Sequence, residues 1–448
     1  MKALYSILIF SVIVLSSYHV VYSNDTKNEI DQYLDRHYGN KKFNGNVLIT
    51  KGNEIIYSNS YGYANKQHKV QNTDSTKFLI GSITKPFTAL GILILEEEGK
   101  LRLENKLSEY FPEFENSEKV TIKQLLTHTS GIPDYHSLSD WVIDSKSDNT
   151  TPEFTIEKVN GRKFDFEPGT NFRYSNTGYI FLGLIIEKVS GLKYSEFINK
   201  NILKPLGLND TGIIDNKSII PNLANGYTTT PRESIVADYI NYNQPYASGN
   251  MYSTSKDLLN FTQAIMSSEL ISPEKTKEIF KAGKYYGYGW GIRNFDGIKA
   301  YGHYGGMNGF VGAITYIPDN DYFICILTND DNTPKIRITS DLVSILYNND
   351  VALPEETALI PLEKDIISQV VGKYKVKENH YFFITDKDGK LYLQEGNNDK
   401  HEMYPYDKYK FSFTLLEPNL VFSDVKKNKA HKLELVGSKT ILTAVRVE

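Results

Sequence analysis

Ser82 and Lys85 bracket the segment Ser82-Ile83-Thr84-Lys85, Tyr174 and Asn176 bracket Tyr174-Ser175-Asn176, and His303 opens His303-Tyr304-Gly305-Gly306. Together these segments supply a hydroxyl nucleophile, an amine able to activate it, a phenol–amide pair and a glycine-rich strand edge. Those are the parts of an acyl-transfer site that works without a His–Asp couple. Each segment is weak alone. Ser-x-x-Lys recurs at Ser190, Ser253, Ser272 and Ser423, Tyr-x-Asn at Tyr57, Tyr63, Tyr239 and Tyr347, and His-Tyr-Gly at His37.

Local context selects among the repeats. Phe78-Leu79-Ile80 reads as a short buried strand and Gly81 permits a turn. An apolar helix then runs through Phe87, Leu90, Ile94 and Leu95 to a stop at Gly99. Ser82 therefore falls at a helix N-terminus, where free N–H groups and the positive dipole end favour an alkoxide or oxyanion. Lys85 projects from the same face, and Pro86 is harmless in the first turn. Ser190 and Ser272 lack a preceding strand and read as loop or helix-start residues. Ser253 reads as the N-cap of an amphipathic helix, and His37 as a surface residue.

These residues resemble the serine hydrolases related to class C β-lactamases and penicillin-binding DD-peptidases. The likeness spans about residues 40–335. It rests on Phe78 to Leu90, on Leu125-Leu126-Thr127-His128-Thr129-Ser130-Gly131-Ile132-Pro133, on Pro168 to Tyr179 and on Gly302 to Gly309, in the family order. The resemblance implies that Ser82 forms an acyl-enzyme, that Lys85 or Tyr174 is the general base, and that Asn176 orients Lys85 or a substrate amide. It also implies an oxyanion hole from the Ser82 and Gly306 N–H groups beside Gly305. His303 departs from the Lys of many β-lactamases; it implies a donor to a substrate carboxylate that is fully charged only when protonated. The implied function is a D-alanyl-D-alanine carboxypeptidase, peptidase or esterase. The alternatives are a class C-like β-lactamase, or a slow-turnover module that binds β-lactams or peptidoglycan. The implied partners are D-Ala-D-Ala-like peptides, β-lactams or small esters, with no cofactor and no metal.

Other chemistries lack their signatures. There is no Gly-x-Ser-x-Gly elbow, no His-Glu-x-x-His and no Walker segment. A net charge of -4 over 448 residues, with no basic cluster, argues against a nucleic-acid partner. Lys2 and the apolar run Ala3 to Leu15 read as an export signal over residues 1–23, so an exported protein with no membrane span after cleavage is expected. The lone cysteine, Cys325, lies in an apolar run and reads as core.

The expected fold is α/β: an antiparallel sheet with flanking helices and an all-α insert over residues 24–350. A linker follows at 351–366, then a small lipocalin-like antiparallel β-barrel at 367–448. Strands are expected at Gly45–Ile49, Glu54–Tyr57, Tyr288–Ile292, Phe310–Tyr316 and Tyr322–Thr328. Both chain ends would then build one sheet, with Ser82 at the seam with the helical insert. Peptide mapping after treatment with a fluorophosphonate should place the adduct on Ser82 alone; an adduct on Ser190, Ser253, Ser272 or Ser423 would overturn the selection.

Overall fold

The computed structural model describes residues 25–138, 150–396, 398–413, 419–437 and 441–447, so the leader read at 1–23 lies outside the described residues. Helix α1 covers residues 25–39. Strands β1 (Gly45–Lys51) and β2 (Glu54–Tyr61) form a hairpin. β3 (Gly291–Phe295), β4 (Ile298–Met307), β5 (Phe310–Ile317) and β6 (Tyr322–Thr328) follow much later in the chain. The sheet order is β3-β4-β5-β6-β1-β2. The first strand enters beside the last, with Val47 opposite Ile326. Both chain ends thus build one antiparallel sheet, as the sequence predicts.

Each face of that sheet buries its own core. Leu48, Ile314, Cys325 and Leu327 face the helical insert, and Cys325 is a buried core residue. Val47, Ile49, Ile324 and Ile326 face α1 and the later helix α4 (Lys335–Leu346). This is the period-two alternation of strands covered on both sides. Within the insert, α2 (Thr84–Glu97) is buried at every position from Thr84 to Leu95, and α3 (Asn176–Ser190) from Thr177 to Ile186. Such all-round apolar helices form the interior rather than a surface. Gly191, at φ +71°, closes α3 as a left-handed cap.

Two expected elements shift. The aromatic stretch Tyr286-Gly287-Tyr288-Gly289-Trp290 is a buried loop, and the strand begins only at Gly291. Gly289, at φ +80°, lies so close to α2 that an added Cβ would meet the Pro86 Cα at 2.9 Å and the Lys85 carbonyl oxygen at 3.0 Å. Packing onto that helix wins over strand pairing. Ser253 lies in the short strand Met251–Ser253, and Thr254 is the cap that accepts from the Asp257 N–H.

Eight strands between Gly372 and Arg446 close into an antiparallel barrel, as expected. Its interior is filled by its own side chains, including Tyr374, Leu391, Met403, Phe411, Leu420 and Leu433, all fully buried. Helix α5 (Lys364–Val370), an element not expected from the sequence, spans the expected boundary between linker and barrel and packs Ile366 and Val370 into this core. Among the described residues no helix is long and apolar enough to cross a membrane.

The barrel core contains no residue of the other two cores. A chain ending after Pro361 should therefore remain folded and soluble. Circular dichroism and gel filtration check this, and an aggregated product would show that the barrel completes the catalytic core.

Candidate active site

Ser82 lies in a single 3-10 turn, Gly81–Ile83, between the strand Phe78–Leu79 and α2. Gly81 has φ +50°, and a Cβ there would come 2.6 Å from the Gly306 oxygen and 2.7 Å from the Gly306 nitrogen. The turn bearing Ser82 thus meets β4 backbone to backbone, a close approach only glycine allows. Nothing lies within 4 Å of a Cβ built on Gly306, which faces open space.

Lys85 is 0% exposed. Its Nζ lies 3.1 Å from Ser82 Oγ, 2.7 Å from Asn176 Oδ1 and 2.7 Å from the Ser248 carbonyl oxygen. The ring faces of Tyr174 and Tyr179 flank it at 4.8 Å and 5.4 Å. Burial pulls its pKa down to about 7, with Asp134 opposing. A neutral amine has two N–H donors and one lone pair. The two carbonyl oxygens are the shorter contacts and can only accept. They take the donors and leave the lone pair aimed at the Ser82 hydroxyl, which is the geometry of a general base.

Asn176 opens α3, but its side chain reaches across to Lys85 rather than forming an Asx-turn. Its Nδ2 donates to Asp134 Oδ2 at 2.8 Å and its backbone N–H donates to the same oxygen at 3.2 Å. Because a carboxylate can only accept, Asp134 sets which end of the amide faces Lys85. Burial alone would raise the Asp134 pKa, but hydrogen bonding and charge from His136 outweigh it and hold the carboxyl below its ordinary range.

Tyr174 is held in place by the segment Thr127-His128-Thr129. The Arg173 N–H donates to the His128 carbonyl at 3.0 Å and the Ser175 N–H donates to His128 Nδ1 at 3.1 Å. The His128 and Tyr174 rings lie 4.3 Å apart. His128 itself is buried at φ +57°. The Tyr174 hydroxyl has no hydrogen-bond partner among the described residues. Burial lifts its pKa well above the ordinary value despite an opposing effect of Ser82, so it stays a neutral phenol.

His303 is buried, and both of its ring nitrogens are engaged. Nδ1 lies 2.7 Å from the Tyr304 carbonyl and Nε2 2.8 Å from Tyr286 Oη. The carbonyl can only accept, so Nδ1 carries the proton and Nε2 accepts from Tyr286. Burial and the charge of Lys85 push its pKa well below the ordinary value. No His303 donor is left for a substrate carboxylate. The cleft, about 650 Å3, has Arg293 and Lys335 in its wall instead. The Arg293 guanidinium stacks on Tyr304 at 3.6 Å, and its Nε is buried without a hydrogen-bond partner among the described residues.

A family model described as Beta-lactamase matches residues 30–345, most of the chain. The chain belongs to the beta-lactamase family. As a member of that family it is a serine hydrolase. It is similar to Penicillin-binding protein 4* of Bacillus subtilis (strain 168), 30% identical over 410 residues, which cover 85% of this chain and 90% of that protein. Putative penicillin-binding protein PbpX of the same strain is 30% identical over 326 residues, 73% of this chain and 80% of that one. The solved octameric penicillin-binding protein homologue from Pyrococcus abyssi aligns with 93% of this chain and 99% of its own, at a TM-score of 0.64 and 27% identity. Coverage that high includes most of the barrel.

Within this family member the structure brings together all seven residues singled out by sequence: Ser82, Lys85, Tyr174, Asn176, His303, Gly305 and Gly306. The other Ser-x-x-Lys serines have structural partners: Ser190 Oγ donates to the Ile186 carbonyl, Ser253 shares a hydrogen bond with Thr211, Ser272 caps Pro273–Ile279, and Ser423 Oγ donates to Glu434 Oε2 at 3.4 Å. Ser190 ends a helix rather than starting one. Asp134, Arg293 and the Ser248 carbonyl escaped sequence reasoning. Asp134 directly follows the Pro133 that ends the recognised Leu125–Pro133 segment, which was a usable signal; the other two had none.

Replacing Asp134→Asn removes the charge that raises the Lys85 pKa, so the free amine persists to lower pH. The rising limb of kcat/KM near about pH 7 should move toward acid. A limb that stays in place, measured with a nitrophenyl ester, would separate Asp134 from Lys85.

Proposed function

We propose that this serine hydrolase is an exported acyl-hydrolase of D-Ala-D-Ala-like peptides, working through a Ser82 acyl-enzyme. The observation that carries this reading is the fully buried Lys85 amine, with a pKa of about 7, 3.1 Å from the Ser82 hydroxyl. Lys85 takes the Ser82 proton as Oγ attacks the carbonyl carbon. The backbone N–H groups of Ser82 and Gly306 receive the developing oxyanion. Tyr174, kept neutral by burial, is a proton donor to the leaving amine rather than a resting base. The proton that Lys85 took from Ser82 then passes to the Tyr174 phenolate, which resets both groups. Water attacks the ester with neutral Lys85 again as base, and that proton returns to Ser82 Oγ as the acid leaves.

A peptide ending in a free carboxylate suits the cations in the cleft wall. Arg293, stacked on Tyr304 in the cleft wall, supports recognition of that carboxylate, a task for which neutral His303 offers no donor. The run Ala3 to Leu15 behind Lys2 supports action outside the cytoplasm. The barrel from about residue 364 onward is read as a separate non-catalytic domain, since its core is its own.

Parallel assays with a D-Ala-D-Ala peptide, a chromogenic cephalosporin and p-nitrophenyl acetate test the reading. Arg293→Gln should raise KM for the peptide about tenfold or more, the equivalent of one charge-assisted hydrogen bond, and leave turnover of the uncharged ester nearly unchanged. Equal losses on both substrates would remove Arg293 from carboxylate recognition. Cephalosporin turnover far exceeding peptide turnover would make the enzyme a β-lactamase instead.

A further inference from the structure

His37 is not a surface residue. It is 4% exposed, and neither ring nitrogen has a hydrogen-bond partner among the described residues. A buried imidazole with both nitrogens unsatisfied is costly and calls for an explanation. His37 is among the residues lining a cavity of about 390 Å3 between the catalytic unit and the barrel. Lys42, Arg337 and Lys410 also line it, as do the apolar side chains Leu353, Pro354 and Val421. Glu355 is the carboxylate in this wall, and it accepts from Tyr406 Oη at 3.2 Å and Asn419 Nδ2 at 3.4 Å. Arg337 is held through Nε by Asp341 at 2.7 Å. Burial first, then Lys42 and Arg337, depress the His37 pKa to about 3, so the ring sits neutral in a positive field.

We propose that this seam binds a small amphipathic oxyanion, a carboxylate or phosphate monoester on an apolar body. Its head lies at His37, Lys42 and Arg337, and its tail against Leu353, Pro354 and Val421. The neutral imidazole supplies a donor to the oxyanion, the two cations supply the charge, and the apolar wall supplies the hydrophobic contact. The ligand touches both the catalytic unit and the barrel and fastens one to the other. The cavity shares no lining residue with the catalytic cleft, so the site is independent of the hydrolytic reaction.

Isothermal titration calorimetry of the full chain with hexyl phosphate and with hexanoate tests the proposal, with hexanol and inorganic phosphate as controls. Saturable single-site binding of at least one amphiphile, with both controls at least about tenfold weaker, is expected. Which amphiphile binds identifies the head group. Lys42→Gln and His37→Phe should each weaken binding about tenfold, and Ser82→Ala should leave it unchanged. Should either seam variant fail to fold by circular dichroism, Arg337→Gln carries the test and should also weaken binding. Absence of saturable heat at millimolar ligand overturns the proposal. Binding lost in Arg293→Gln but intact in the seam variants also overturns it, by placing the ligand in the catalytic cleft.

Discussion

The structure depends on one costly group, an amine with no access to water. Lys85 lies in the first turn of a helix buried from Thr84 to Leu95. Placing a cation there is unfavourable, so the free-energy balance moves toward the uncharged amine. What would be a defect in a purely structural core is the property a general base needs near neutral pH. Asp134 moderates the effect from behind Asn176, close enough to raise the lysine pKa without replacing the amide as its direct partner.

Holding that balance requires three distant stretches of chain to meet within a few ångströms. Gly81 lets the Ser82 turn touch Gly306, and Gly289 lets the aromatic loop close over Pro86 and Lys85. The strand Phe78–Leu79 pairs with Met251–Ser253, while Thr88 Oγ1 donates to the Ala247 carbonyl, and together these fix the turn that presents the Ser248 oxygen. The His128 loop grips the backbone on both sides of Tyr174. These contacts run through backbone atoms, the Thr88 hydroxyl and the His128 ring, so little rotamer freedom is left around the candidate site, which is the condition for preorganised catalysis.

The barrel reaches this machinery indirectly. Arg232, in the turn of the hairpin Tyr227–Val236, pairs with barrel residue Glu402 at 3.2 Å and lies over the Tyr404 ring. Just past the same hairpin, the Asp238 carbonyl accepts from Asn308 Nδ2 at 3.2 Å, and Asn308 and Ile240 line the cleft. A partly exposed ion pair contributes little stability. Its geometry nevertheless joins the barrel to the rim of the site rather than to its floor.

Much of the fold, and the residues that meet at the candidate site, were legible in the sequence because they rest on short-range rules. The Phe78–Ile80 run, the glycine at position 81 and the apolar helix after it identify Ser82 among five Ser-x-x-Lys matches without any distant information. The alternating strands and their turns likewise announce the C-terminal barrel. Only the tertiary structure decided that His303 is neutral with both nitrogens engaged, that Arg293 is the stacked cation of the cleft, that Asp134 stands behind Asn176, and that His37 is buried at a domain seam. The physical reason is that charge state and burial are sums over neighbours in space. Tyr286 and Lys85 around His303, or Lys42 and Arg337 around His37, come from segments that no local pattern brings together.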